Sequence, residues 1–113
     1  MTSDLTTIES LFLSYRDGTK KPQDVVAKFL EKIESRNDYY SAYQSVWEEE
    51  AMAAAELATK ALAVGHDLSP LHGVPFALKD IFHVTDKVTT CGAVELSQNF
   101  ATVTATVVRR LVN

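Results

Sequence analysis

The chain carries a single cysteine, Cys91, among its 113 residues, which excludes an internal disulfide and fits a reducing compartment. Cationic clusters are equally scarce. Lys20-Lys21 and Arg109-Arg110 are the local groupings, and a formal net charge of -4 argues against a nucleic-acid surface, which needs grouped Lys and Arg. No apolar run is long enough to cross a bilayer, and the segment from Met1 to Thr7 lacks the charged and apolar regions of a signal peptide. A cytoplasmic chain without a membrane partner is the expectation. The four glycines are dispersed, so there is no phosphate-cradling loop. His66, His72 and His83 lack ligand spacing and no second cysteine is available, so neither a metal nor a cofactor is expected. What is present is ordinary for a folded chain: 46% hydrophobic and 23% charged residues, with no repeat or low-complexity stretch.

The front of the chain reads as helices. Leu5, Ile8, Leu11, Phe12 and Tyr15 recur at helical spacing, Thr6 and Glu9 fit a capping box, and Gly18 offers a stop. Pro22 suits a first helical position. Val25, Val26, Phe29, Leu30 and Ile33 then mark one stripe that ends near Asn37 and Asp38. A third helix is expected from about Val46 to Val64, with Ala51, Ala54, Leu57, Ala58, Ala61 and Leu62 as a small-residue face. Glu48, Glu49 and Glu50 suit its positive end, and they lack the spacing of a metal cluster. Gly65 to Leu68 form the turn that follows.

The most pointed segment is Pro70-Leu71-His72-Gly73-Val74-Pro75-Phe76-Ala77-Leu78-Lys79-Asp80, an apolar run that ends abruptly on an amine followed by a carboxylate. Extended, it places Val74, Phe76 and Leu78 on one face and Pro75, Ala77 and Lys79 on the other. A lysine partly desolvated among small neighbours loses its proton near neutrality and then acts as a base. A surface lysine at a strand end is the ordinary alternative. Beyond it, Thr85-Asp86-Lys87 reads as a turn and Val88-Thr89-Thr90 as a short strand. Thr102 to Val108 is β-branched enough for a strand, yet Thr104, Val107, Val108 and Leu111 also fit a helix. Cys91 with His83 or His72 is a conceivable nucleophile, though a cysteine before Gly92 is more often a small turn residue.

Leu71 to Asp80, followed by Thr89-Thr90-Cys91-Gly92 and by Ala105-Thr106-Val107-Val108-Arg109-Arg110-Leu111, resembles the amidase signature family of amide hydrolases and amidotransferases. The likeness spans roughly residues 5 to 113, with the first sixty matching only in helical pattern. It implies an α/β fold: N-terminal helices, then the first strands of a mixed sheet that this chain leaves incomplete. Within residues 1–113 it implies a helical front over about 5–64, a signature strand region over about 71–93 and the start of a helix over about 104–113, with Thr104 where the family often has an Asp cap. It also implies a Ser-cisSer-Lys triad in which Lys79 is the lysine and the catalytic residue of this chain. Departures from the pattern are Lys21 in place of a Ser or Thr cap, Ile81 in place of Asn, Asp86 in place of Gly and Ala93 in place of Ser. Asp tolerates left-handed geometry, so the turn at Asp86 is expected to survive.

The family places both serines downstream of the matched region. Ser97 is the only serine after Lys79, and it lacks the Gly-Ser-rich context that a nucleophile with its oxyanion donors requires. The expectation is therefore the N-terminal portion of an amide hydrolase or amidotransferase. Its complete form would act on a small-molecule amide, with no direct nucleic-acid contact, while this portion self-associates or is finished by a completing chain. Thr90-Cys91 and Asn99-Phe100 resemble the branch of glutamyl-tRNA amidotransferase A subunits, ranked behind plain hydrolysis. The competing expectation, from another class, is a non-catalytic interaction or assembly module that keeps the helical front without the chemistry. A Gly-Ser-rich segment with two serines beyond Asn113 in the reading frame would decide for the enzyme.

Overall fold

The computed structural model describes residues 6–66 and 69–113. Leu5, and Asp67 and Leu68 of the expected turn, lie outside the described residues. The chain divides into two compact units, Met1–Pro75 and Phe76–Asn113.

The first unit is helical. Helix α1 spans Ile8–Arg16, α2 spans Pro22–Tyr40 and α3 spans Glu48–Ala63. The capping box of α1 sits one residue later than expected: Thr7 is the cap, its hydroxyl accepting from the Ser10 N–H at 3.0 Å while the Ser10 hydroxyl accepts from the Thr7 N–H at 2.9 Å. Serine thus takes the part expected of Glu9, because its short side chain reaches back to the cap directly. Gly18, at φ +77, provides the left-handed stop. Pro22 opens α2 as its fixed φ predicts, Lys21 supplies no side-chain cap, and the helix runs on to a left-handed Ser41. Asn37 holds the following turn through its side chain, donating to the Tyr43 carbonyl at 2.9 Å and accepting from the Tyr43 N–H at 2.8 Å.

Helix α3 packs against α2 by part of the expected face: Ala51, Ala58, Ala61 and Leu62 are half-buried, and Leu62 packs on the core. Ala55 is buried, whereas Ala54 is exposed and Leu57 is 67% exposed. Alanines lie on most sides of this helix, so its apolar periodicity is weak and tertiary bonds choose the face. Here Thr59 does so: its hydroxyl donates to the Ala55 carbonyl and accepts the Gln23 N–H at the start of α2. Leu11, Tyr15 and Val25 form the buried centre of the unit, with Phe29, Leu62 and Val74 packed on it.

Tyr15 also ties the helices to the chain that follows, donating its hydroxyl to the Gly73 carbonyl at 3.1 Å. Burial pushes this phenol up to about 12 from its ordinary 10.0. Because the folded value lies above the unfolded one, the stabilisation is fully present below pH 10 and is lost as pH rises toward 12. A tyrosinate titration of the parent minus that of Tyr15→Phe should show one ionisation near 12. A difference curve centred at 10 would mean that the phenol meets water.

The second unit corrects the expected α/β class. Among the described residues there is no strand; the only ladder element is a single antiparallel bridge between Val88 and Phe100. The period-two pattern of Val74 to Lys79 defines faces, but a strand exists only when a neighbour takes its N–H and C=O groups, and Pro75 has no N–H to give. Val88-Thr89-Thr90 likewise makes one bridge instead of a strand. The turn at Thr85 and Asp86 forms, with Asp86 left-handed at φ 64 and the Lys87 N–H donating to the Val84 carbonyl at 3.0 Å. Helix α4, Thr106–Val112, resolves the conflict over the final segment in favour of helix. Its cap is Ala105, not Thr104. Thr104 instead uses its hydroxyl to accept the Thr85 N–H at 3.0 Å and to bond the Thr85 hydroxyl at 2.9 Å. Thr89, Ala101 and Val108 are the buried residues of this unit.

Candidate functional site

The candidate site is built around Lys79, which lies in the second unit and is exposed. The described residues do not provide the desolvation expected of it: Phe76 is 48% exposed and Ala77 is exposed as well. The backbone beneath the amine is nevertheless well tied. The Lys79 carbonyl accepts two N–H groups, from Ile81 at 2.7 Å and Phe82 at 3.2 Å, so the chain turns sharply at the lysine instead of continuing extended.

Asp80 is held more firmly still. Its Oδ1 accepts the Thr90 N–H at 2.9 Å and its Oδ2 accepts the Thr90 hydroxyl in a short hydrogen bond, while its main-chain carbonyl accepts the Cys91 N–H at 2.9 Å. Thr90 in turn accepts the Gly92 N–H at 3.1 Å. The Thr90 hydroxyl, then the Thr90 N–H, hold the Asp80 carboxyl below its ordinary range; desolvation opposes this and the Gly92 N–H adds a smaller favourable contribution. With the folded value depressed, the stabilisation is present above the ordinary carboxylate range and is lost as pH falls through the folded value.

The segment that Asp80 grips is a reverse turn from Thr90 to Ala93, closed by the Ala93 N–H donating to the Thr90 carbonyl at 2.9 Å. Both central residues are left-handed, Cys91 at φ 52 and Gly92 at φ 80, as a turn of the I′ kind requires. Cys91 is free and exposed, a turn residue by its geometry. Behind it, Thr89 is 1% exposed. Its N–H donates to the Asn99 carbonyl at 3.1 Å, and the Asn99 amide returns a bond to the Thr89 carbonyl at 2.9 Å.

Sequence reasoning reaches Lys79 but misses Asp80, Thr90 and Asn99 as a connected set. The available signal is a carboxylate ahead of a Thr-Cys-Gly turn at a spacing short enough to close locally. Of the histidines, His72 places Nε2 2.9 Å from the Ala58 carbonyl, so Nε2 carries its proton. Among the described residues no group of three or more His, Cys, Asp or Glu is placed to hold a metal ion, and no helix is long and apolar enough to cross a membrane.

The Amidase family model matches residues 24–113. The chain belongs to the amidase signature family. This amidase-family chain is 40% identical over 110 residues to the A subunit of glutamyl-tRNA(Gln) amidotransferase from Mycolicibacterium gilvum, covering 91% of the chain and 22% of that protein. The corresponding A subunit from Mycobacterium leprae is 42% identical over 89 residues, or 78% of the chain and 18% of the relative. That from Coxiella burnetii is 37% identical over 105 residues, or 93% of the chain and 22% of the relative. The amidase chain thus spans about a fifth of the length of these relatives. No solved structure matches it.

Proposed function

We propose that this chain is the N-terminal portion of a cytoplasmic, cofactor-independent amidase that cleaves an amide through a Ser-cisSer-Lys triad, with Lys79 as its lysine. The observation that carries the proposal is Lys79 at the end of the Gly73 to Leu78 segment, inside the region matched by the family model. In this mechanism a serine outside residues 1–113 attacks the amide carbonyl to give an acyl-enzyme. Neutral Lys79 takes the serine proton through the intermediate serine, and the same relay returns a proton to the leaving amine. Hydrolysis and ammonia transfer share these steps and differ in the acceptor of the acyl or amino group. Likeness to the A subunits of glutamyl-tRNA(Gln) amidotransferases favours ammonia transfer within a multi-chain assembly, in which a partner chain completes the site.

A serine-directed covalent probe tests the division of labour. Ser97, the sole serine after Lys79, is exposed and caps a short 3-10 turn, Val94–Leu96; it has no base beside it by sequence and no Gly-Ser-rich segment around it. The 113-residue chain should take up no probe, while the full-length polypeptide should be labelled at one serine beyond Asn113. Stoichiometric labelling at Ser97 would move the nucleophile into this chain. An unlabelled full-length polypeptide would favour the non-catalytic module.

A further inference from the structure

Lysine is a poor choice for a precisely placed base unless something restrains it, because its flexible four-carbon stem samples many rotamers. Lys79 has no packing of its own to provide that restraint; it is exposed among the described residues. Its neighbour is the most tightly bonded residue of the segment. Asp80 is fixed through both carboxylate oxygens to Thr90 and through its main-chain carbonyl to Cys91, and the carbonyl of Lys79 itself takes two N–H groups. The peptide planes that follow the lysine are thereby immobilised.

The same bonds have an electrostatic consequence. A loose carboxylate next in sequence would pair with the lysine ammonium and keep it protonated, the wrong state for a base. With Oδ1 and Oδ2 both turned toward Thr90, Asp80 is directed to the turn instead.

We propose that Asp80 and Thr90 are positioning residues for Lys79: their mutual grip fixes the backbone from which the amine projects and turns the adjacent carboxylate away from it. The inference rests on Lys79 being the catalytic base. It assigns to the Thr90–Ala93 turn the task of orienting the base, and predicts that the hydroxyl of residue 90 matters more than its size.

The test uses the full-length polypeptide, with folded enzyme counted by circular dichroism. Thr90→Val removes the hydroxyl and keeps the shape. It should lower kcat by about 10²-fold, the effect of a base displaced by roughly 1 Å, leave KM within about twofold, and move the rising limb of the kcat/KM pH profile to higher pH as the released carboxylate reaches the ammonium. Thr90→Ser should restore both kcat and the limb. Asp80→Asn should lower kcat to a similar degree. If Asp80→Asn does not fold, the Thr90 pair decides alone. A Thr90→Val enzyme with parental kcat and an unmoved limb overturns the proposal, as does activity lost only in proportion to the amount of folded enzyme. Lys79→Ala separates this from the underlying assignment: if that variant stays active the base is elsewhere, whereas if it is dead and the Thr90 variants are normal, only the positioning role fails.

Discussion

Lys79→Ala in the full-length polypeptide is expected to lower turnover by about 10²- to 10⁴-fold, the range that a positioned proton-transfer group contributes. The side chain is exposed and anchors no packing among the described residues, so the fold should persist and the loss should appear in kcat. Lys79→Arg sharpens the test. A guanidinium keeps the positive charge but does not deprotonate in proteins. If the lysine acts by proton transfer, the arginine variant should be about as inactive as the alanine variant; if it acts only as a fixed cation, arginine should retain much of the rate. Ammonia release from a simple amide, followed for parent and both variants with circular dichroism as the check on folding, gives the answer. Near-parental turnover of Lys79→Ala would remove this residue from the mechanism.

The largest stability effect is expected at Gly73. Its φ of +70 is left-handed, and a Cβ built there would stand 2.6 Å from Pro22 Cγ, 2.9 Å from Pro22 Cβ and 3.3 Å from Tyr15 Cε2. None of these neighbours can give way easily. Pro22 is among the fully buried side chains, locked by its ring at the first position of α2, and Tyr15 is a core residue bonded to the Gly73 carbonyl itself. Left-handed geometry costs a non-glycine residue roughly 1–2 kcal/mol, and overpacking adds roughly 1–3 kcal/mol. Gly73→Ala should therefore destabilise the first unit by about 3 kcal/mol, a fall in Tm on the order of 10 °C or more for a unit of this size. Gly65→Ala is the matched control, because that glycine is also left-handed but a Cβ there meets nothing within 4 Å among the described residues; it should cost only the backbone share. Equal Tm changes for the two variants would show that the contact with Pro22 is slack.

Much of the helical front is legible from local rules. Pro22 starts α2 and Gly18 stops α1, because a fixed φ and a freely left-handed residue act without help from the rest of the chain. The stripe of Val25, Val26, Phe29, Leu30 and Ile33 faces inward as its spacing requires. Lys21 is an ineffective cap and Asp86 a tolerated left-handed residue for equally local reasons. Family membership is legible too, since the segment from Gly73 to Asp80 and the Thr90-Cys91-Gly92 turn carry it in their order and spacing.

Other features depend on distant partners. The buried face of α3 is only partly readable from its residues because alanines surround the helix: Ala51, Ala58, Ala61 and Leu62 turn inward as expected, but Ala55 takes the centre in place of Ala54 and Leu57, where the Thr59 hydroxyl accepts the Gln23 N–H at the start of α2. Thr104 looks like a helix cap, yet the chain brings Thr85 beside it and the hydroxyl bonds across. The expected strands fail for the same reason: alternation describes the side chains of one segment, whereas a sheet is a relation between segments, and among the described residues only Val88 and Phe100 enter one. For the site, sequence alone determined that an amine follows an apolar run and is followed by a carboxylate. Only the tertiary structure decided what that carboxylate does. The intervening chain folds back so that both its oxygens meet Thr90, a pairing that depends on the left-handed turn at Cys91 and Gly92 and that no residue pattern specifies without it.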